Sequence, residues 1–547
     1  MVQTRFLVFA LVVVATLGCA VLAPMEPVAA WALLPLLFLT ALGIYDLVQR
    51  RHAILRNYPL TGHLRFLLEA VRPEIRQYFI EGERDALPFS QDQRAMVYKR
   101  AKGINDAQPF GTLLDVREPG YAWISHSIRP GAIESHDFRI AIGGPRCRQP
   151  YSLSVYNISG TSFGALSGPA IMALNRGAKL GGFAQNTGEG SISPWHRVHG
   201  GDLVWQVATG YFGCRTPEGR FDPDKFREVA ADPQDKMIEV KLSQGAKPGH
   251  GGVLPKAKLT EEIARTRGVA MDCDCVSPAR HSAFSTPLEL MGFLDRLREL
   301  SGGKPVGLKL AVGHRSEFLA MVKAMLATGI TPDFIVVDGS EGGTGAAPVE
   351  LSNNVGMPLF DALNFVHNAL VGAGLRGAVR IGASGKLISA FDLAQAFAFG
   401  ADYALSARGF MFALGCIQAR NCHTNRCPTG IATQDPGRSR AIDVPDKAQR
   451  IANFHENTLR ALAELLESAG LDTPARLAPR YLHIRQPDGR ALNGSVRYPA
   501  TPAGGLLDGQ CPADLLEDWT RAQAGSFDLA ECPEDAPAAR LVEVGSA

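Results

Sequence analysis

The feature that most restricts how this chain can fold is a unit repeated through its middle: a β-like run, a glycine-rich loop, then a helical pattern. The run at 151–159 (YSLSVYNIS) leads into GTSFG at 160–164 and a helical stretch over 169–180. A second run, 183–187 (FAQNT), ends at GEG, and a third, 237–243 (MIEVKLS), ends at QGAKPG. VGLKL at 306–310 precedes a helix around 317–327, and 334–337 ends at DGSEGGTG. The runs at 379–381 and 403–406 end at GASGK and ARG. Seven such units predict an α/β fold of the (β/α)8 barrel type, with polar and glycine residues gathered at the face where barrel active sites sit. A doubly wound sheet is the alternative, but no G-x-G-x-x-G opens a helix after the first strand. The 57 glycines among 547 residues suit many strand-end turns.

Before that region come two apolar stretches. No charged residue occurs from 6 to 24, and a second run covers about 31–43 and weakens toward 48. Arg5 precedes the first, Arg50, Arg51, His52 and Arg56 follow the second, and the turn between carries no Lys or Arg. About 20 apolar residues span a bilayer as helix, and the charge distribution keeps both ends in the cytoplasm. The expected location is therefore the inner (cytoplasmic) membrane, multi-pass, with the catalytic domain cytoplasmic. A secretory signal peptide with PVAA at 27–30 as its cleavage site is the rival reading. The expected organisation is a transmembrane hairpin over 1–50, an α-rich connector over 51–150, a barrel over 151–470 and a C-terminal extension over 471–547. The acidic tail after Ala524 is expected to be disordered. Lys+Arg 56 against Asp+Glu 54 removes the electrostatic case for binding nucleic acid.

Three features carry chemistry. Gly385 and Lys386 follow the sixth run and Gly409 the seventh, and loops after the last two barrel strands often cradle a phosphate, although such glycines can simply make turns. Lys309 is a lone charge in the apolar run VGLKL, where an inward lysine implies an anionic or electron-rich partner and a snorkelling lysine is the bland alternative. Lys241 poses the same choice. Cys416, Cys422 and Cys427 are spaced C-x5-C-x4-C with Pro428 after the last. That spacing fits iron–sulfur ligation better than paired zinc knuckles, and three structural thiols remain the plain alternative.

The stretch GCIQARNCHTNRCPTGIATQDP closely resembles the cluster-binding segment of glutamate synthase. KLSQGAKPGHGGVLP at 241–255, DGSEGGTGAAP at 338–348 and the GTSFGALS and NTGEG pair within 160–190 resemble that family's FMN-binding barrel in the same order. The resemblance covers roughly 151–435 and extends to stand-alone proteins with an FMN-binding glutamate synthase domain. It implies FMN and a [3Fe-4S] cluster, the latter on Cys416, Cys422 and Cys427. It further implies that Lys309 lies by the flavin ring, that Ser162, Asn186, Thr187 and Gln244 hold ring edge or ribityl chain, and that Gly385, Lys386 and Gly409 hold the phosphate. The loop Gly342-Gly343-Thr344 is assigned to the cofactor as well. Glu189 and Glu341 are candidates for orienting an imine or handling its proton, solvated surface glutamates being the bland reading. The expected partners are a 2-oxo acid such as 2-oxoglutarate, ammonia or an amine from solution or a separate glutaminase, and an electron donor. That donor is a ferredoxin, a reductase or a membrane pool, since no nicotinamide fingerprint is present. A flavin oxidoreductase for another amine, imine or 2-oxo acid, or a membrane-tethered electron carrier, are the competing expectations. The segment MDCDCVSP at 271–278 departs from the family, and Cys273 and Cys275 point to another substrate or an additional redox function or, more plainly, to two thiols beside a strand.

Overall fold

A computed structural model describes residues 4–49, 52–82, 84–85, 87–271 and 273–528. The chain divides into two compact units, one ending at Asp92 and the other starting at Gln93.

In the first unit α1 (Leu7–Leu22) and α2 (Pro27–Val48) form an antiparallel pair. With the preceding turn Thr4–Phe6, the two helices are 19 and 22 residues long and apolar enough to cross a membrane by length and composition. Thr16 and Thr40 join them through a hydroxyl–hydroxyl hydrogen bond of 2.8 Å. Phe9 packs on Gly43, where a Cβ would overlap the ring. Their outward leucines and valines stay bare, Leu34 at 75% exposure. Two further helices follow, α3 (Ala53–Asn57) and α4 (Gly62–Ile75).

The second unit is a closed eight-stranded parallel barrel. Its strands are β1 (Tyr156–Ile158), β2 (Gln185–Asn186), β3 (Leu203–Val207), β4 (Asp235–Lys241), β5 (Val306–Leu310), β6 (Phe334–Asp338), β7 (Arg380–Ser384) and β8 (Tyr403–Ser406), and β8 pairs with β1 to close the ring. β5 and β6 are buried at every position, as parallel strands covered on both faces must be. The helix Gly168–Gly181 after β1 starts with Pro in its first turn and stops at Gly182, whose φ of 67° lets the chain turn back. The long helix Val444–Ser468 lies against it, and Gly177 gives the room for Ile451.

The run at 151–159 is two strands rather than one. Tyr151–Ser154 pairs antiparallel with Arg139–Ile142, and only Tyr156–Ile158 enters the barrel. Ile142 and Leu153 from that hairpin pack with Ala184, Val204, Met237, Phe334, Val336, Tyr403 and Leu405 from the barrel strands, forming an apolar floor beneath the polar strand ends. The eighth strand is β3, LVWQV, which the repeat pattern passed over. It is five residues long with an inward glutamine, and its Trp205 stacks outward on Phe226. The connector is helical as far as Lys102, and the rest of it is irregular apart from Ala122–Ile124 and Arg139–Ile142. The tail expected to be disordered falls largely on 529–547, outside the described residues.

Candidate active site at the barrel mouth

Side chains alternate across a strand, and register fixes which of them share the interior. Lys309 is level with Lys241 on β4 and Val336 on β6. Two residues along, Asp338 is level with Ser384 on β7. The Lys309 ammonium lies 3.7 Å from an Asp338 carboxylate oxygen and 3.4 Å from Ser159 Oγ, with both charged side chains only 8% exposed. The other Asp338 oxygen accepts the Gly245 N–H at 2.8 Å. Lys309 thus points into the barrel and is held by contacts at the long end of the hydrogen-bond range.

A second cluster stands beside it. Lys241 donates to Glu189 at 2.8 Å and to Gln244 Oε1 at 2.5 Å. Burial pushes the Glu189 carboxyl up, but the charge and hydrogen bond of Lys241, with help from Lys247 and Arg267, bring it down to about 2. At neutral pH Glu189 is a carboxylate with no proton to give, so of its two expected roles the arrangement favours orientation.

Below these lies Glu239, 1% exposed, whose Oε1 accepts from Asn186 Nδ2 at 2.9 Å and Gln206 Nε2 at 2.6 Å. Asn186 Oδ1 accepts the Gly188 N–H, and the Thr187 hydroxyl accepts the Gln206 N–H. Both residues therefore shape the pocket floor through protein contacts. Ser162 packs against Gly188 and Gly190 at the rim. The hydroxyl of Tyr403 is buried in this layer and has no hydrogen-bond partner among the described residues.

Loops 7 and 8 meet loop 6. Lys386 takes a positive φ of 60°, and burial together with the Arg408 charge holds its ammonium pKa below the usual range. Burial brings Arg408 down to about 10 against the pull of Asp338 and Glu341. Two cations, one lowering the pKa of the other, beside the backbone of Gly385 and Gly409, make a site suited to an anion such as phosphate. A Cβ on Gly409 would meet Ser406 Oγ at 2.7 Å. Arg408 donates to the Glu341 carbonyl. The Glu341 carboxylate accepts the Leu359 N–H at 3.0 Å and so caps the helix Leu359–Gly372. Gly342 donates back to Gly339 O, Gly343 lies against Arg408, and Thr344 is exposed.

The three cysteines follow the helix Arg408–Leu414 in a coiled loop with positive φ at Gln418, Arg420 and Asn425. Burial, aided by the charges of Cys422 and Cys427, pushes the Cys416 thiol up to about 12. Cys422 is raised for the same reasons. Burial also pushes Cys427 upward, but Thr429 and the backbone N–H groups of 429, 431 and 432 win and lower it. Cys427 therefore acts on both of the other thiols, although among the described residues no three of His, Cys, Asp and Glu are arranged to hold a metal ion. Lys258 ties this loop to the barrel by donating to the carbonyls of Ala165, Cys422 and Ala432. In the loop after β4, Cys275–Val276 pairs antiparallel with Val253–Leu254, leaving Cys275 buried near Arg267 and Cys273 exposed.

Gln206, Glu239, Asp338 and Ser159 are site residues that sequence reasoning did not assign, and Ser384 and Arg408 lay within the two candidate phosphate loops without a role of their own. Glu239 stands two residues before Lys241 in MIEVKLS, a same-face spacing that was available. Gln206 was hidden with its strand.

Residues 141–472 match the family model described as the conserved region in glutamate synthase. The chain is 36% identical over 501 residues to the glutamate synthase large subunit-like protein YerD of Bacillus subtilis (strain 168), covering 84% of this chain and 95% of the relative. It is 34% identical over 314 residues to the archaeal-type glutamate synthase (NADPH) of Thermotoga neapolitana, where the match takes in 57% of this chain and 58% of that protein's length. A glutamate synthase large subunit-like protein of Rhizobium meliloti is 31% identical, with 65% and 81% covered. Among solved structures, mandelate oxidase with (S)-2-phenylpropionate overlaps 73% of this chain and 98% of its own at 15% identity, with a TM-score of 0.41. The family model spans the whole barrel and the cysteine loop, and the Bacillus relative matches nearly end to end: the chain belongs to the glutamate synthase family of oxidoreductases.

Proposed function

We propose that the barrel binds FMN and catalyses the reductive amination of 2-oxoglutarate or a related 2-oxo acid, using ammonia from solution or from a partner. The observation that carries this reading is Lys309, a lysine inside a closed barrel whose contacts among the described residues, to Asp338 and Ser159, are long. A buried cation so loosely held fits an electron-rich ring that gains negative charge on reduction. The Lys386 and Arg408 pair with the Gly385 and Gly409 backbone fits the phosphate end, and Gln244 beside Lys241 and Ser162 at the rim are assigned to the ring edge and ribityl chain. When bound, the flavin supplies the electron pair that reduces the imine of the 2-oxo acid. Lys309 stabilises the negative charge, the Glu189 carboxylate orients a cationic imine nitrogen, and the apolar floor excludes water from below.

Cys416, Cys422 and Cys427 are the ligands in this reading for a [3Fe-4S] cluster passing electrons from a ferredoxin, a reductase or a membrane pool. Three cysteines in one loop, with Pro428 after the last, provide the donor chemistry. The hairpin of α1 and α2 anchors the protein in the inner membrane with the barrel in the cytoplasm, where thiols stay reduced.

The test is anaerobic purification of the full chain with flavin extraction, iron and sulfide analysis and EPR, then a screen of 2-oxo acids with ammonium. Expected are stoichiometric FMN, a three-iron signal lost in Cys422→Ser, and flavin reoxidation that needs 2-oxo acid plus ammonium and rises with pH as NH3 forms. Zinc in place of iron refutes the cluster. Reduced flavin that no 2-oxo acid reoxidises refutes the activity and leaves an electron carrier.

A further inference from the structure

The segment after the apolar hairpin takes no part in the chemistry above, and it carries an apolar face that the protein leaves bare. In α4, Leu64, Leu67, Leu68, Val71 and Ile75 recur at the spacing of one helix face. They are 59, 59, 53, 38 and 38% exposed, and the stripe continues into the turn Arg76–Ile80 with Phe79 at 85%. Arg65, Arg72 and Arg76 repeat the same spacing one position later and so form a row along one flank. Leu68, Glu69, Ile75 and Ile80 join these three arginines around a surface hollow of ≈ 690 Å³. Arg65 and Glu69 form an exposed pair, which contributes little and exchanges readily for another anion, and Arg76, 56% exposed, pairs with the half-buried Glu81. A soluble helix turns its leucine stripe to a core. A bare stripe edged by arginines is the pattern of a helix lying in a membrane interface.

Where α4 begins is fixed by α2. Asp46, fully buried in the last turn of α2, accepts the Leu60 N–H at 3.0 Å and lies 2.9 Å from His63 Nε2. Arg5, at the start of the first apolar helix, donates to Asn57 Oδ1 at 2.9 Å. Both ends of the hairpin and the start of α4 therefore share one level, and with the hairpin in a bilayer that level is the headgroup layer.

We propose that residues 62–80 lie along the cytoplasmic membrane surface, with the leucine stripe in the acyl boundary and the arginine row on the phosphates of anionic phospholipid. The inference rests on the membrane reading of the hairpin. The arginine row selects the occupant, because a neutral protein surface would gain nothing from it, whereas each arginine near an anionic leaflet contributes a roughly fivefold attraction.

The test uses the full chain in lipid nanodiscs, with an environment-sensitive fluorescent amino acid encoded at Leu67, at Glu69 on the polar side, or at Leu37 in α2. Nitroxide lipids quench from near the headgroup or from deep in the acyl layer. Shallow nitroxide should quench the Leu67 probe several-fold more than the Glu69 probe. Adding phosphatidylglycerol to phosphatidylcholine should increase that quenching, and Arg72→Gln with Arg76→Gln should remove the increase. A Leu37 probe quenched by deep nitroxide beside an unquenched Leu67 probe overturns the inference while the hairpin stands. If neither is quenched, both readings fall. Quenching at Leu67 that ignores phosphatidylglycerol and the arginines overturns the anionic-lipid assignment.

Discussion

Replacing Lys241 by methionine removes the charge that holds Glu189 ionised. The two groups are 2.8 Å apart with side chains 11% and 21% exposed, so solvent screens them little. A carboxyl at about 2 in the folded chain against 4.5 as its ordinary value adds stability that is fully present above pH 4.5 and lost as pH falls toward 2. The full shift corresponds to about 3 kcal/mol and is the net of burial, which raises the carboxyl, and of Lys241, Lys247 and Arg267, which lower it, Lys241 first among them. In Lys241→Met, burial raises the carboxyl with only the other two cations opposing it. The variant should then be about 2 kcal/mol less stable at pH 7, and the difference should shrink as pH is lowered through the raised value and below 4.5. Urea unfolding followed by flavin and tryptophan fluorescence, at pH steps from 8 to roughly 4, measures this. The double variant Lys241→Met with Glu189→Gln should recover most of the loss and flatten the pH dependence. A pH-independent loss, or a double variant no more stable than the single one, would refute the pairing argument.

Lys309→Met should lower the flavin reduction potential or empty the site, as spectroelectrochemistry would show; Asp338 keeps the Gly245 N–H and the Arg408 charge, so the loss of stability should stay within about 2 kcal/mol. Tyr403→Phe removes a buried hydroxyl without a partner among the described residues, so thermal unfolding should show a change within about 1 kcal/mol or a gain. Gly245→Ala would drive a Cβ into the Gly339 carbonyl and part loops 4 and 6, so flavin binding should fail in equilibrium dialysis while far-ultraviolet circular dichroism keeps its shape. Thr16→Val with Thr40→Val should loosen the apolar hairpin by about 1 kcal/mol, read as faster proteolysis between its helices in detergent.

Composition and order along the chain were enough to set the class of fold. Parallel strands buried on both faces must be short apolar runs, and the turn at each end must be made of glycine and polar residues, so VGLKL and FIVVD announce themselves. The two apolar helices and the three cysteines are equally local, because length and spacing define them. The same local rule explains the failures. LVWQV carries its one polar residue where a buried strand should be apolar, and only closing the ring shows that Gln206 points inward to Glu239. YSLSVYNIS reads as one strand because nothing in it reveals that the chain crosses from a floor hairpin into the barrel at Val155. Glu189 and Glu341 look alike in sequence, each in a glycine loop after a strand. Tertiary structure separates them, placing one against Lys241 in the mouth and the other on the N-terminus of the helix Leu359–Gly372. Charge and cap depend on a partner far along the chain, fifty-two residues away for Glu189, and no local pattern encodes such a distance. What the sequence by itself determined is therefore the repeat, the lengths of the two apolar helices and the thiol spacing; which polar groups meet inside the barrel was decided by strand register, because a single closed ring brings every second residue of eight separate segments onto one axis.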